Sequence, residues 1–156
     1  MEGRASRPSR PSKARQCRQL EERWLRCTCR KLPDTFVICR LPPNAPAPSV
    51  SETAAFTSIT RTADELSIVC PAKDAPASAI CEAPWTCFKL QGPFPFSLTG
   101  VLSSFLGPLA ERGVPIFAVA TFDTDYILVK EELAAKALDI LLDAGHELIA
   151  EPGQEF

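Results

Sequence analysis

Between residues 85 and 149 the hydrophobic pattern changes period repeatedly, and the order of those changes leaves few folds open. Residues 85–91 set Trp85, Cys87 and Lys89 against Thr86, Phe88 and Leu90, the alternation of a strand. Val101, Leu102, Phe105, Leu106 and Leu109 then recur on one face of a helix expected to start near Ser97 and stop at Gly113. Pro108 lies inside it and lacks an N–H, so a kink or a loosened last turn is expected. Residues 114–122 are nearly all apolar, which predicts a strand buried on both faces or placed centrally. Residues 126–129 pair back to it. Leu133, Ala137, Leu138, Leu141 and Leu142 stripe a second helix over residues 131–144, with acids at its start and Gly145 after its end. Residues 147–149 supply a last strand. The sum is β-α-β-β-α-β, a split βαβ unit whose right-handed crossovers put both helices on one face of a four-stranded antiparallel sheet.

The first half follows the same order of strands with Pro- and Ala-rich connectors where helices would stand. Residues 35–41 form a strand stopped by Pro42 and Pro43, and residues 44–55 form a loop or at most one helical turn. Residues 56–61 and 66–70 make a hairpin turning at residues 62–65. After a connector over residues 71–79, residues 80–82 read as a brief edge strand. This half is a degenerate copy of the second by element order, not by letter matching.

Charge divides the chain differently. Residues 1–31 carry ten Lys/Arg against three Glu, about +7, so the remainder is near −9 within an overall −2. Residues 1–19 hold almost nothing apolar and cannot offset their ordering entropy, which predicts a disordered basic tail. A cleavable organelle-targeting peptide is the next reading, since the segment is basic and poor in acids; no apolar core follows it, as a secretory signal requires. Such an arm binds polyanions generally, and specific nucleic-acid recognition is not expected. Residues 21–31 are compatible with a short helix around Trp24 and Leu25. The domains expected are therefore a basic extension over 1–31, a degenerate module over 32–83, a second module over 84–150 and a loose tail from 151. No run approaches the roughly 18–20 apolar residues of a membrane span.

Seven cysteines, an odd number with several inside apolar runs, point to reduced, buried thiols in a reducing compartment. Spacing alone argues for no particular disulfide. Cys27 and Cys29 are the one close pair and the chain has a single His, so neither a metal nor a cofactor is expected.

Two segments hold the candidate chemistry. Ser97, Leu98, Thr99 and Gly100 stand where a strand hands over to a helix, so their N–H groups and two hydroxyls suit an anion such as an α-carboxylate. The alternative is that Ser97 only caps the helix, with Thr99 in its first turn. Phe122, Asp123, Thr124 and Asp125 join two strands through an acidic turn, and one carboxylate there suits an α-ammonium. Ordinary turn chemistry would also explain both aspartates. They lack the Asp-Thr-Gly of an aspartic protease, and Ser103 and Ser104 lack a nucleophile elbow. His146, following Gly145 at a helix end, suits a solvated role or one on that helix's C-terminal carbonyls better than a general base. Phe94, Phe96, Phe105, Phe117 and Phe122 could wall an apolar pocket, but scattered aromatics fit core packing first.

In these segments the chain resembles the ACT domain, a small ligand-sensing module. It is most similar to small tandem-ACT proteins marked by Glu-Leu-Ser-Ile-Val-Cys-Pro (residues 65–71), by Gly-Pro-x-x-Phe-Ser-Leu-Thr-Gly-Val-Leu (92–102) and by Thr-Phe-Asp-Thr-Asp-Tyr-Ile-Leu-Val-Lys (121–130). The resemblance spans residues 36–149. It implies an α+β fold of tandem ferredoxin-like modules, the first degenerate, with a site between modules near residues 92–100. It further implies a cytoplasmic, non-catalytic sensor of a free amino acid or similar metabolite, acting as a homo-oligomer or on a regulated partner. The competing expectation is a subunit-interaction module without a working site. A small hydrolase ranks below both.

Overall fold

The computed structural model describes residues 25–149. Expectations for residues 1–24 and for the tail from residue 150 lie outside the described residues. The chain forms β1 (Thr28–Leu41), β2 (Ser58–Arg61), β3 (Leu66–Pro71), β4 (Ile80–Leu90), α1 (Val101–Glu111), β5 (Ile116–Ala120), β6 (Asp125–Lys130), α2 (Ala134–Asp143) and β7 (Glu147–Leu148). Single 3-10 turns follow β3 and β6.

All seven strands share one mixed sheet, ordered β2-β3-β1-β4-β6-β5, with β7 added in parallel to the start of β1. Every other pairing is antiparallel. Long strands β1 and β4 form its spine, bulged on β1 between Lys31 and Thr35 and on β4 between Glu82 and Trp85. A groove of about 370 Å³ is lined jointly by Ser58, Thr60 and Ser67 from one end of the sheet and by Phe117 and Val119 from the other, so the two ends curl toward each other.

Both helices cover the second half. Phe105 and Leu109 of α1 and Ala137, Ile140 and Leu141 of α2 pack with Phe88, Leu90, Ile127, Val129 and Cys29 of the strands. Each such fully buried Leu or Phe contributes about 1.5–3 kcal/mol relative to exposure. The opposite face joins Phe36, Trp85, Cys87 and Leu128 to Phe56, which leaves the connector over residues 42–57 to stack on Tyr126 with ring centroids 4.0 Å apart. In the first half Ala45, Ala75 and Ala79, small residues of the connectors, lie against Val37, Leu41, Leu66 and Ile68. Arg61 pins the first connector by donating to the Pro43 and Ala45 carbonyls.

Several expectations are corrected by this arrangement. Thr28–Lys31, read as the end of an appendage or of a short helix, is strand: β1 starts at Thr28 and buries Cys29 between β4 and β7. Residues 80–82 are not a separate strand but the first residues of β4; they pair with β1 and not with β6, so they keep an open side, and the boundary drawn after residue 83 falls within a strand. The four-stranded sheet expected over 85–149 is not self-contained, because the start of β1 lies between β4 and β7. Strand β5 is an edge, half-exposed along its length, not a central strand. Helix α1 starts at Val101, since Gly100 turns the chain at φ 84° and the residues from Ser97 precede the first helical turn. Leu142 is exposed, and Ile140 takes the buried place on α2.

Cys39 and Cys81, opposite each other on β1 and β4, form a disulfide, which corrects the expectation of reduced thiols throughout. Cys27, Cys29, Cys70 and Cys87 are free.

Candidate functional site

A cleft of about 770 Å³ opens between α1 with its preceding loop and the turn joining β5 to β6. The loop is brought there by close backbone contact. The Phe94 N–H donates to the Asp123 carbonyl at 2.8 Å, and the Gly92–Pro93 peptide is cis. Gly92 has to be glycine for this approach, because a Cβ there would stand 2.6 Å from the Asp123 oxygen. The turn itself is closed by the Thr121 N–H and hydroxyl, both donating to the Thr124 carbonyl at 2.9 and 2.6 Å.

Six of the eight candidate residues line this cleft: Leu98, Gly100, Phe122, Asp123, Thr124 and Asp125. The two segments that carry them are 22 residues or more apart in the chain, and the fold brings them face to face. Ser97 and Thr99 are exposed and do not line it. Ser97 is not a helix cap either: the cap is Gly100, which has no side chain to accept from the first N–H groups. The backbone N–H groups at the beginning of α1 thus lack side-chain caps and stand at the cleft wall, the arrangement that suits an anion. Thr124 is buried and its hydroxyl donates to the Leu90 carbonyl at 2.7 Å, so its proton is committed to holding the turn on β4. Across the cleft, partial burial pushes the Asp125 carboxyl above the usual carboxylate range, since desolvation disfavours its charge.

The rest of the wall is mostly apolar, and of it only Phe94 and Phe96 were weighed as pocket wall from the sequence. Phe94, Phe96, Leu102, Leu106, Gly107 and Ala110 all face it. Phe94 packs against the core and also lines the cleft, Phe96 lines it from an exposed position, Phe105 is fully buried and Phe117 packs on the other side of the sheet. The available signal was Gly107: glycine inside an 11-residue helix weakens it, and here the missing side chain deepens the cleft.

His146 is not solvated and is not part of the cleft lining. It is buried, accepts the Cys27 N–H at Nδ1 (3.2 Å), and lies 2.9 Å from the Ser104 carbonyl at Nε2. Burial raises the free thiols, Cys29 to about 11 and Cys27, Cys70 and Cys87 also upward, which removes them as nucleophiles at neutral pH. Among the described residues no group of three or more His, Cys, Asp or Glu is placed to hold a metal ion, and no helix is long and apolar enough to cross a membrane.

Comparison with known proteins places this geometry in a family. A model described as the ACT domain matches residues 80–143, and one describing the N-terminal domain of a family of like proteins matches residues 34–78. The crystal structure of protein Atu0741 from Agobacterium tumefaciens is 39% identical with a TM-score of 0.76, covering 85% of this chain and 98% of that one. VC0802 from Vibrio cholerae has the same fold at 21% identity and a TM-score of 0.59, covering 80% and 91%. So does the regulatory subunit of aspartate kinase from Thermus thermophilus, at 15% identity and a TM-score of 0.52, covering 71% and 93%. A comparison with curated proteins found no match. On the domain match and the 39% identity over nearly the whole of Atu0741, the chain belongs to the ACT-domain family.

Proposed function

We propose that this chain is a regulatory sensor that binds a free amino acid, or a metabolite of the same kind, in the cleft between α1 and the β5–β6 turn, without turning it over. One observation carries the reading: the uncapped start of α1 and the Asp123/Asp125 turn line the same cleft. The first offers N–H donors to a carboxylate and the second a carboxylate to an ammonium, so both ends of a zwitterion find a partner. Nothing else in the cleft is suited to bond-breaking. The ACT family supports the regulatory part, as does the similarity to a subunit of aspartate kinase that is itself named regulatory.

The two halves are read as tandem ACT-like modules sharing one sheet, the first having exchanged its helices for connectors. A ligand favouring one arrangement of the modules, or of copies of the chain, would shift that equilibrium by its difference in affinity and pass the signal to a partner. We place this in the cytoplasm. The competing reading, an interaction module with a vestigial cleft, draws on edge strands such as β2 and β5.

A thermal-shift screen of the full chain against the twenty amino acids tests the proposal. At least one should stabilise the protein in a concentration-dependent way. A flat screen at millimolar ligand would favour the interaction module.

A further inference from the structure

We propose that the ligand is an amino acid with an uncharged, bulky apolar side chain, its polar end at the Asp123/Asp125 turn and its side chain laid along α1; this rests on the amino-acid reading above. The charges in the cleft are one-sided. Both carboxylates belong to the β5–β6 turn, and no basic residue is among the described residues lining the cleft. A ligand with an acidic side chain would bring a second anion to two aspartates without a counter-ion. A ligand with a basic side chain would end against Leu102, Leu106 and Ala110, where its charge has no partner.

The helix wall also has the shape for an apolar group. Ser103, Gly107 and Ala110, at i, i+4 and i+7, form one face of α1 with hardly any side chain. Leu102 and Leu106, only partly buried, flank that face. At the mouth Phe96 and Phe122 meet edge to face, with ring centroids 5.1 Å apart, and each is 78% exposed. Two exposed phenyl rings on a cleft gain most by covering apolar ligand surface, and aromatic pairs hold this geometry well.

Titration of the full chain with a panel of free amino acids, followed by calorimetry, decides this. Leucine, isoleucine, methionine or phenylalanine is expected to bind at least about tenfold more tightly than alanine, since each methylene in an apolar pocket gives about 10–200-fold. Aspartate, glutamate, lysine and arginine should bind no better than alanine. Gly107→Leu, which fills the helix face, and Phe122→Ser, at an exposed position where folding is not at stake, should each weaken the best ligand about tenfold or more. A charged amino acid binding most tightly overturns the inference and leaves amino-acid sensing standing. Retention of full affinity by both variants overturns it too, because the side chain must then sit elsewhere. If none of the twenty binds, the functional reading fails and this inference with it.

Discussion

His146 donates from Nε2 to the Ser104 carbonyl at 2.9 Å, and that carbonyl is the one left without a helical donor by Pro108. In an unbroken helix residue 108 would supply the N–H for residue 104, and proline has none. The Cys27 N–H bonds Nδ1, so the ring proton resides on Nε2 and points at Ser104. The ring also stacks on Phe105, with centroids 3.9 Å apart. One side chain from beyond α2 thus repairs α1 and ties β1 to both helices.

This repair predicts a specific coupling. His146→Leu should destabilise the protein by about 2–4 kcal/mol, because it strands a part-buried N–H and a buried carbonyl. Pro108→Ala restores an N–H that can reach Ser104. The double variant should therefore lose less than the sum of the single changes by about 1 kcal/mol or more, measured by urea unfolding. Strict additivity would mean that the Ser104 carbonyl is satisfied in some other way.

Asp125 makes a prediction whose sign is opposite to that of a salt-bridged carboxylate. Burial raises its pKa in the folded chain, so the folded state holds the proton more tightly than the unfolded one. Its contribution to stability is most favourable below the usual value of 3.8 and falls as pH rises through the raised value. Asp125→Asn should thus be neutral or slightly stabilising at pH 7 and flatten the stability profile on the alkaline side of the usual value of 3.8. The same change should weaken amino-acid binding about tenfold or more, and wild-type binding should decline as the carboxylate is protonated on the acid side of its raised pKa. A clear loss of melting temperature in Asp125→Asn at pH 7 would contradict this account.

Gly92 sets the position of the whole loop. A methyl group there must displace the Asp123 carbonyl, which also receives the Phe94 N–H. Gly92→Ala is expected to cost about 1–3 kcal/mol, in the range of overpacking, and to reduce ligand binding more than any exposed change on the same loop, such as Ser97→Ala. Equal binding by Gly92→Ala and wild type would show that the loop and turn need not meet to make the cleft.

Much of this architecture is legible in the residues, and the failures share one cause. The stripe on α1 and the runs in β5 and β6 are local signals, and they place the helix and hairpin correctly. The meeting of residues 92–102 with residues 121–125 was readable because both segments have turn-forming and small residues where apolar runs end. By contrast, the basic look of residues 26–31 hides the start of β1, whose strand character comes from pairing with β4 and β7 far along the chain. His146 looked solvated because its partner Ser104 lies 42 residues away and is made available by a third residue, Pro108. Gly100 and Ser97 both resemble helix starts in one dimension; the left-handed turn at Gly100 decides between them. Gly107 and Ala110 read as helix filler until the cleft stands beside them.

The bond between Cys39 and Cys81 has the same long-range origin, since only the register of β1 against β4 sets the two opposite each other. It closes a loop of 42 residues containing β2, β3 and both connectors, the part of the molecule without α-helices. Loop-closure entropy assigns such a link about 4 kcal/mol, and measured bonds more often give about 2–4 kcal/mol. Cys81 is exposed while Cys39 is buried, so Cys81→Ser breaks the link without opening the core. That variant should unfold at lower urea by this amount and become insensitive to added dithiothreitol, whereas the wild type should fall to the variant's stability once reduced. The cleft lies at the other end of the sheet, lined by none of the residues inside the loop, so ligand affinity should change less than about twofold. A wild type whose unfolding is unmoved by full reduction would show that pairing in the β1–β4 spine already holds the first half in place.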